Sequence, residues 1–258
     1  MKDSHPSAAV HSDPWPWLRK WQPSVRLHRP RSHEPTCAHK PMTNPDKVAF
    51  ARSYAGTHPS LDFLEWGMAE CESVSGERSG DRCMVAPTSR GALIAVVDGL
   101  GHGDEADRAA ETALGILGAH AGEPIWSLLQ RCHAALLSTR GATMTLADID
   151  AGEGMMTWGG IGNVQGSLVR SARGRRPETA LRLAGAVGFI LPRVQPSTTR
   201  LSRGDVVILA TNGVAPEFAD NLLLLGEPRA IASRILRRHA RLDQALVLAG
   251  RFLGSPNG

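Results

Sequence analysis

The run Leu93-Ile94-Ala95-Val96-Val97, followed by Asp98-Gly99-Leu100-Gly101-His102-Gly103-Asp104, constrains the fold more than any other stretch of the chain. An unbroken apolar run of this length, rich in β-branched residues, reads as a strand covered on both faces, because a half-exposed strand alternates polar and apolar residues. Such a strand needs packing partners on either side, so the domain must have several layers. It ends in a carboxylate and passes through three glycines toward a helix. Three readings of Asp98 follow from the residues alone. Asp-Gly is a common turn dipeptide. A glycine-rich corner can cradle phosphates, although here it lacks the Gly-Lys-Ser/Thr ending of that loop. A carboxylate beside a flexible carbonyl can also bind a hard cation.

Charge is distributed unevenly. Residues 1–47 carry eight basic and four acidic side chains, eight of the 17 prolines and five of the ten histidines, so the net charge of +4 resides in this segment. The rest of the chain is balanced, and its composition gives no reason to expect nucleic-acid binding. Residues 1–47 show no sustained helical or strand period and are expected to form a disordered tail, with residues 48–258 a single domain. Trp15, Trp17 and Trp21 could anchor the tail on a partner, a membrane surface or the domain, and Met42 offers a later start for translation. No stretch approaches the ~18–20 apolar residues of a membrane span, and the N-terminus lacks a signal-peptide core, so a cytoplasmic protein is expected. Cys37, Cys71, Cys83 and Cys132 lack metal-binding spacing and read as ordinary thiols.

Leu61 to Glu70 suits a first strand. Arg90-Gly91 suits a hairpin turn between a strand at Cys83 to Ala86 and the Leu93 strand, and antiparallel pairing across it would bring Asp81 beside Asp98. Asp104 is a suitable N-cap for a helix whose apolar face runs Ala106, Ala109, Ala110, Ala113, Leu114, Leu117. A second helix starts near Pro124, with His133 off its apolar stripe and expected on the surface. Strands follow at 142–149, 155–160, 164–169, 198–201 and 206–210, with arginines 173, 175 and 176 at a solvated hairpin tip. A helix from about Pro228 and a last strand at 245–249 close the chain.

Six segments, in order, resemble one family: SGDR at Ser79 to Arg82, VVDGLGHG at Val96 to Gly103, RGATMTL at Arg140 to Leu146, GGIGNVQGSLV at Gly159 to Val169, GDVVILATNGV at Gly204 to Val214, and DQALVL at Asp243 to Leu248. The chain from about Leu61 to Leu253 resembles the metal-dependent protein phosphatases of the 2C type, in the bacterial branch containing SpoIIE and RsbX. That resemblance implies an α+β fold, a four-layer α-β-β-α sandwich of two antiparallel sheets flanked by helix pairs. It implies two Mn²⁺ or Mg²⁺ ions, with Asp98 bridging them, the Gly99 carbonyl and Asp81 on one side, and Asn212 and Asp243 serving the other. It further implies a phosphoserine/phosphothreonine phosphatase acting on a phosphorylated STAS-domain protein of a stressosome or partner-switching pathway. His102 is a candidate general acid, since imidazole titrates near neutrality.

The chemistry accounts for the residue types. A phosphate monoester is dianionic, and hydroxide attack on it needs cations that neutralise the ester and acidify a water. Hard cations of this kind take oxygen ligands and keep several waters. Two departures stand out: Thr-Asp-Gly of the family is Thr211-Asn212-Gly213 here, and the usual Asp-Asp pair is Asp243-Gln244. Losing one carboxylate weakens one side of the ligand set, which admits an alternative reading, a pseudophosphatase that binds a phosphoprotein without turning it over.

Overall fold

The computed structural model describes residues 61–71, 78–172, 174–220, 222–242 and 244–255 in full and the backbone of 51–56. The expected tail of residues 1–47, Arg173 at the hairpin tip and the proposed ligand Asp243 lie outside the described residues.

Two six-stranded sheets form the centre of the molecule. The first runs, in spatial order, β1 (Ala51–Gly56), β2 (Leu64–Cys71), β12 (Ala245–Phe252), β11 (Val206–Ala210), β7 (Gln165–Val169) and β8 (Glu178–Thr179). The second runs β10 (Ser197–Arg200), β6 (Met155–Ile161), β5 (Ala142–Asp150), β4 (Gly91–Gly99) and β3 (Asp81–Pro87). β9 (Arg182–Leu183) adds to the edge of β6 as a parallel neighbour, while the longer pairings are antiparallel. Outside the second sheet lie α1 (Asp104–Ala119) and α2 (Ile125–Leu136). Outside the first lie α3 (Pro228–His239) and a 3₁₀ turn at Pro216–Ala219. The layer order is therefore α-β-β-α, with a helix pair on one side and, among the described residues, a single α-helix on the other.

β4 shows why the continuous apolar run is needed. Ala92, Ile94 and Val96 enter the core between the sheets, where they meet Trp66, Trp158 and Leu248. Leu93, Ala95 and Val97 face α1 and α2 with Leu117, Leu128 and Leu129. Both rows of β4 are buried, as a strand in a four-layer sandwich requires. The small residues of α1 (Ala106, Ala109, Ala110, Ala113) let that helix approach the sheet closely.

Three local expectations are corrected. The strand expected first is second: β1 precedes it and pairs with it from Ala51↔Cys71 to Gly56↔Trp66. α1 begins at Asp104 itself, and its N-cap is Gly103 at φ 70°, with no side-chain cap. Asp104 instead joins Glu105 and Asp107 in the first turn, where acids face the positive end of the helix dipole. His133 is half-buried, and its Nδ1 accepts the Gly188 N–H at 2.9 Å, because the loop after β9 folds back over α2.

α1 approaches the sheet closely at Gly99, where a Cβ would stand 2.0 Å from the Ala106 carbonyl oxygen. Gly99→Ala should therefore lower the thermal midpoint by an amount corresponding to roughly 1–3 kcal/mol or more. Gly122→Ala, at a position with nothing within 4 Å, should be close to neutral. Calorimetry of both variants checks this; equal midpoints would show that α1 does not press on the end of β4.

Candidate metal centre

β3 and β4 pair in a register that sets Asp81 opposite Asp98. One step further out, the Gly99 N–H donates to the Gly80 carbonyl at 3.0 Å. Hydrogen-bonded pairs alternate with non-hydrogen-bonded ones, so Asp81 and Asp98 form one of the latter, in which side chains come closest. Both belong to the rows that face between the sheets: Asp98 continues Ile94 and Val96, and Asp81 continues Val85 and Cys83. Two carboxylates thus enter one narrow space at the end of an apolar core.

The first sheet reaches the same point. Thr211 follows β11, continues the inward row of Val207 and Leu209, and is fully buried. Its hydroxyl donates to Asp81 Oδ2 at 2.8 Å and accepts the Leu246 N–H of β12 at 2.9 Å. One hydroxyl therefore ties the backbone of one sheet to a carboxylate of the other. β5 adds Thr143, which is opposite Asp98 and donates to Asn163 Oδ1 at 2.5 Å, and Thr145, which donates to the Val164 carbonyl at 2.6 Å. This end of the sandwich is a polar layer in which each named hydroxyl has a partner.

Burial and proximity set the charge state. Desolvation pushes Asp81 up to about 7, with the charge of Asp98 adding to the rise and the Thr211 hydrogen bond opposing it. Desolvation pushes Asp98 up to about 6. The Cys83 thiol, pushed up to about 12 by burial, is no nucleophile. An acid pair that resists ionising is a pair that a divalent cation would relieve, and its oxygen donors suit Mg²⁺ or Mn²⁺. The two carboxylates of Asp81 and Asp98 fit such an ion.

Arg82 braces the loop before Asp81. Its guanidinium donates to the carbonyls of Ser79 at 3.0 Å and Asp81 at 2.8 Å, and it pairs with the buried Asp107 of α1, which Arg78 also reaches at 3.2 Å. The Asp81 N–H donates to Ser79 Oγ at 3.0 Å. Sequence reading did not find the roles of Thr211, Arg82 and Asp107, because each depends on a partner from a distant element.

The other expected site residues divide. Asn212 is exposed at the end of β11, beside Gly213, where a Cβ would meet the Gln244 carbonyl at 2.1 Å. The ends of β11 and β12 thus adjoin next to Thr211 and Asp81. Gly99 is buried at the end of β4, and His102 is exposed on the turn before α1. Among the described residues, no three His, Cys, Asp or Glu side chains converge as a metal cluster.

A family model for stage II sporulation protein E (SpoIIE) matches residues 88–249. The chain belongs to the SpoIIE family. Phosphoserine phosphatase RsbX of Bacillus subtilis (strain 168) is 25% identical over 144 residues, covering 55% of this chain and 71% of that protein. The crystal structure of RsbX in complex with magnesium superposes with a TM-score of 0.68 at 20% identity, covering 78% of this chain and 100% of RsbX. A chain from a structure of the bacterial stressosome, a modular system adapted to control secondary-messenger signalling, gives a TM-score of 0.63 at 26% identity, covering 72% and 98%. The SpoIIE match spans β4, which carries Asp98, and reaches β11 and β12; the SGDR loop and β3 lie ahead of it. Among the described residues, no helix is long and apolar enough to cross a membrane.

The raised carboxylates give a signed prediction. A native pKa above the unfolded value means that the folded state binds protons more tightly, so this pair's contribution to stability is greatest below about pH 4 and is lost as pH rises through 6 to 7. The loss is of the order of a few kcal/mol. With chelator present, the pair should lower the thermal midpoint across this window. Added Mn²⁺ should raise the midpoint more at pH 7.5 than at pH 5, and Asp98→Asn should both raise the chelated midpoint at pH 7.5 and abolish most of the Mn²⁺ effect. A Mn²⁺ shift that Asp98→Asn leaves intact would remove Asp98 from the ligand set.

Proposed function

We propose that this protein is a phosphoserine/phosphothreonine protein phosphatase that works with two divalent cations, Mn²⁺ or Mg²⁺, on a phosphorylated STAS-domain protein of a stressosome or related partner-switching system. The observation that carries the reading is the Asp81–Asp98 pair, two inward carboxylates in direct register at the end of a sandwich of this family. The phosphoserine phosphatase RsbX among its relatives and the stressosome chain among its structural neighbours support the substrate class. The balanced charge of residues 48–258 favours a protein substrate over nucleic acid.

In this reading Asp98, on the strand shared by both layers of packing, would hold the ions together with Asp81, the Gly99 carbonyl, Asn212 and Asp243. When bound, the ions would neutralise the dianionic ester and acidify a water for in-line attack on phosphorus. Thr211 and Arg82 act on the acid rather than the substrate. Thr211 fixes the Asp81 carboxylate against rotation, and Arg82 holds the Ser79–Asp81 backbone that carries it. His102, exposed on the glycine-rich turn after Asp98, gives a proton to the departing seryl oxygen in this reading. The described cysteines take no part: Cys71 and Cys132 are buried and Cys83 is half-buried with its thiol pushed up by desolvation.

A second reading, a phosphoprotein-binding pseudophosphatase, is favoured by Asn212 and Gln244. An amide oxygen still coordinates, but it removes a full negative charge from the ligand set of one ion. Phosphate release from a phosphorylated STAS-domain partner, measured across a Mn²⁺ titration, separates the two. Turnover that saturates with Mn²⁺ is expected, and no release at millimolar Mn²⁺ would leave the binding role. Asn212→Asp should shift half-maximal Mn²⁺ about tenfold lower, with equal or faster hydrolysis; an unchanged titration would take position 212 out of the site.

A further inference from the structure

A phosphate dianion beside Asp81 and Asp98 is repelled by their carboxylates unless positive charge from bound ions or from the protein offsets it, and the described arginines near this end differ in where their guanidinium groups lie. Arg82 is committed to two carbonyls and the buried Asp107, which Arg78 shares. Arg241 bonds through its backbone to Gly213, but its side chain pairs with Glu217 in the 3₁₀ turn on the α3 side. Arg140 is exposed and paired much as Arg241 is, but its guanidinium lies on the turn that follows Asp98. Its Nη1 lies 2.9 Å from where a Cβ on Gly101 would stand, so the guanidinium rests on the turn three residues past Asp98. Gly101 has φ +103°, and its missing side chain makes room for the arginine.

The backbone around Arg140 is fixed to the same loop. The Gly141 carbonyl accepts the Leu100 N–H at 3.0 Å, and the Gly141 N–H donates to Thr139 Oγ1 at 3.0 Å. Ala142, next along, pairs with Gly99. Glu105, in the first turn of α1, takes the Arg140 Nε at 2.5 Å, and both side chains are more than half exposed. An exposed pair of this kind opens at little cost, and guanidinium binds phosphate oxygens through parallel hydrogen bonds that an ammonium cannot reproduce.

We propose that Arg140 is the phosphate-binding arginine of this site, held over the Asp98–Gly101 loop by Glu105 until the phosphate of the substrate engages it. The proposal rests on the phosphatase reading and adds to it a residue that touches the transferred group. Inorganic phosphate is the direct probe, titrated calorimetrically into the full-length Mn²⁺-loaded protein, alongside p-nitrophenyl phosphate hydrolysis. Arg140→Ala should weaken phosphate binding at least tenfold and raise KM, Arg140→Lys should recover only part of the loss, and Glu105→Gln should tighten binding two- to fivefold by freeing the guanidinium. Arg131→Ala, which breaks a comparable surface pair with Glu123, should change neither quantity. Phosphate affinity within twofold of wild type in Arg140→Ala, with wild type active, would overturn the role of Arg140 while leaving the phosphatase reading in place. A wild type that neither binds phosphate nor hydrolyses ester with Mn²⁺ present would overturn both.

Discussion

Two carboxylates on adjacent strands, facing the same way at a non-hydrogen-bonded position, repel each other, and burial strengthens the repulsion by thinning the dielectric between them. The Asp81–Asp98 pair is therefore a liability that the apolar remainder of the sandwich must carry. Trp66, Trp158, Ile94, Leu248 and Phe252 fill the space between the sheets behind it. A loosely packed core would let the two strands splay and the charges separate. The tight core keeps them together, and a compact cation between them would relieve the repulsion.

The same demand explains the polar layer at this end. A carboxylate with free rotation would point its lone pairs wherever solvent allows. Thr211 restricts Asp81 from the opposite sheet, and the Leu246 N–H fixes the hydroxyl in turn. Relative movement of the sheets is thereby coupled to the orientation of the acid. Arg82 and Asp107 couple it to α1 as well, since Asp107 sits on the inward side of that helix with its charge matched by two arginines. A buried ion pair adds little net stability, but removing one partner leaves a charge stranded. Such contacts fix geometry more than they stabilise it.

Much of this arrangement was legible in the sequence because it is local. The apolar run of β4 and the turn between Pro87 and Gly91 determine the hairpin, and the hairpin alone sets Asp81 opposite Asp98. The layer order and the family came from motifs spread across the chain, and the SpoIIE match from 88 to 249 bears them out. What escaped notice depends on partners far along the chain. β1, Ala-Arg-Ser-Tyr-Ala-Gly, has neither alternation nor β-branched residues and owes its strand state to β2. His133 looks like a surface residue on a helical wheel, and only the return of Gly188 across 55 residues gives its ring a role. Gly103 took the cap position from Asp104 because a positive φ was required at the sharp entry into α1.

Position 212 separates what the fold demands from what the chemistry demands. Asparagine and aspartate are nearly isosteric, so the strand end, the Gly213–Gln244 approach and the Thr211 hydrogen bonds are indifferent to the exchange. The electrostatics are not. In the ligand assignment proposed above, the side that includes Asn212 carries one unit of negative charge less than a carboxylate would give it, while Asp81 and Asp98 supply two carboxylates, one of them oriented by Thr211 and Arg82. A site of that composition would hold two ions with unequal strength. Occupancy of the weaker position would then vary with metal supply over a range in which the stronger position stays filled, and turnover would follow the weaker ion.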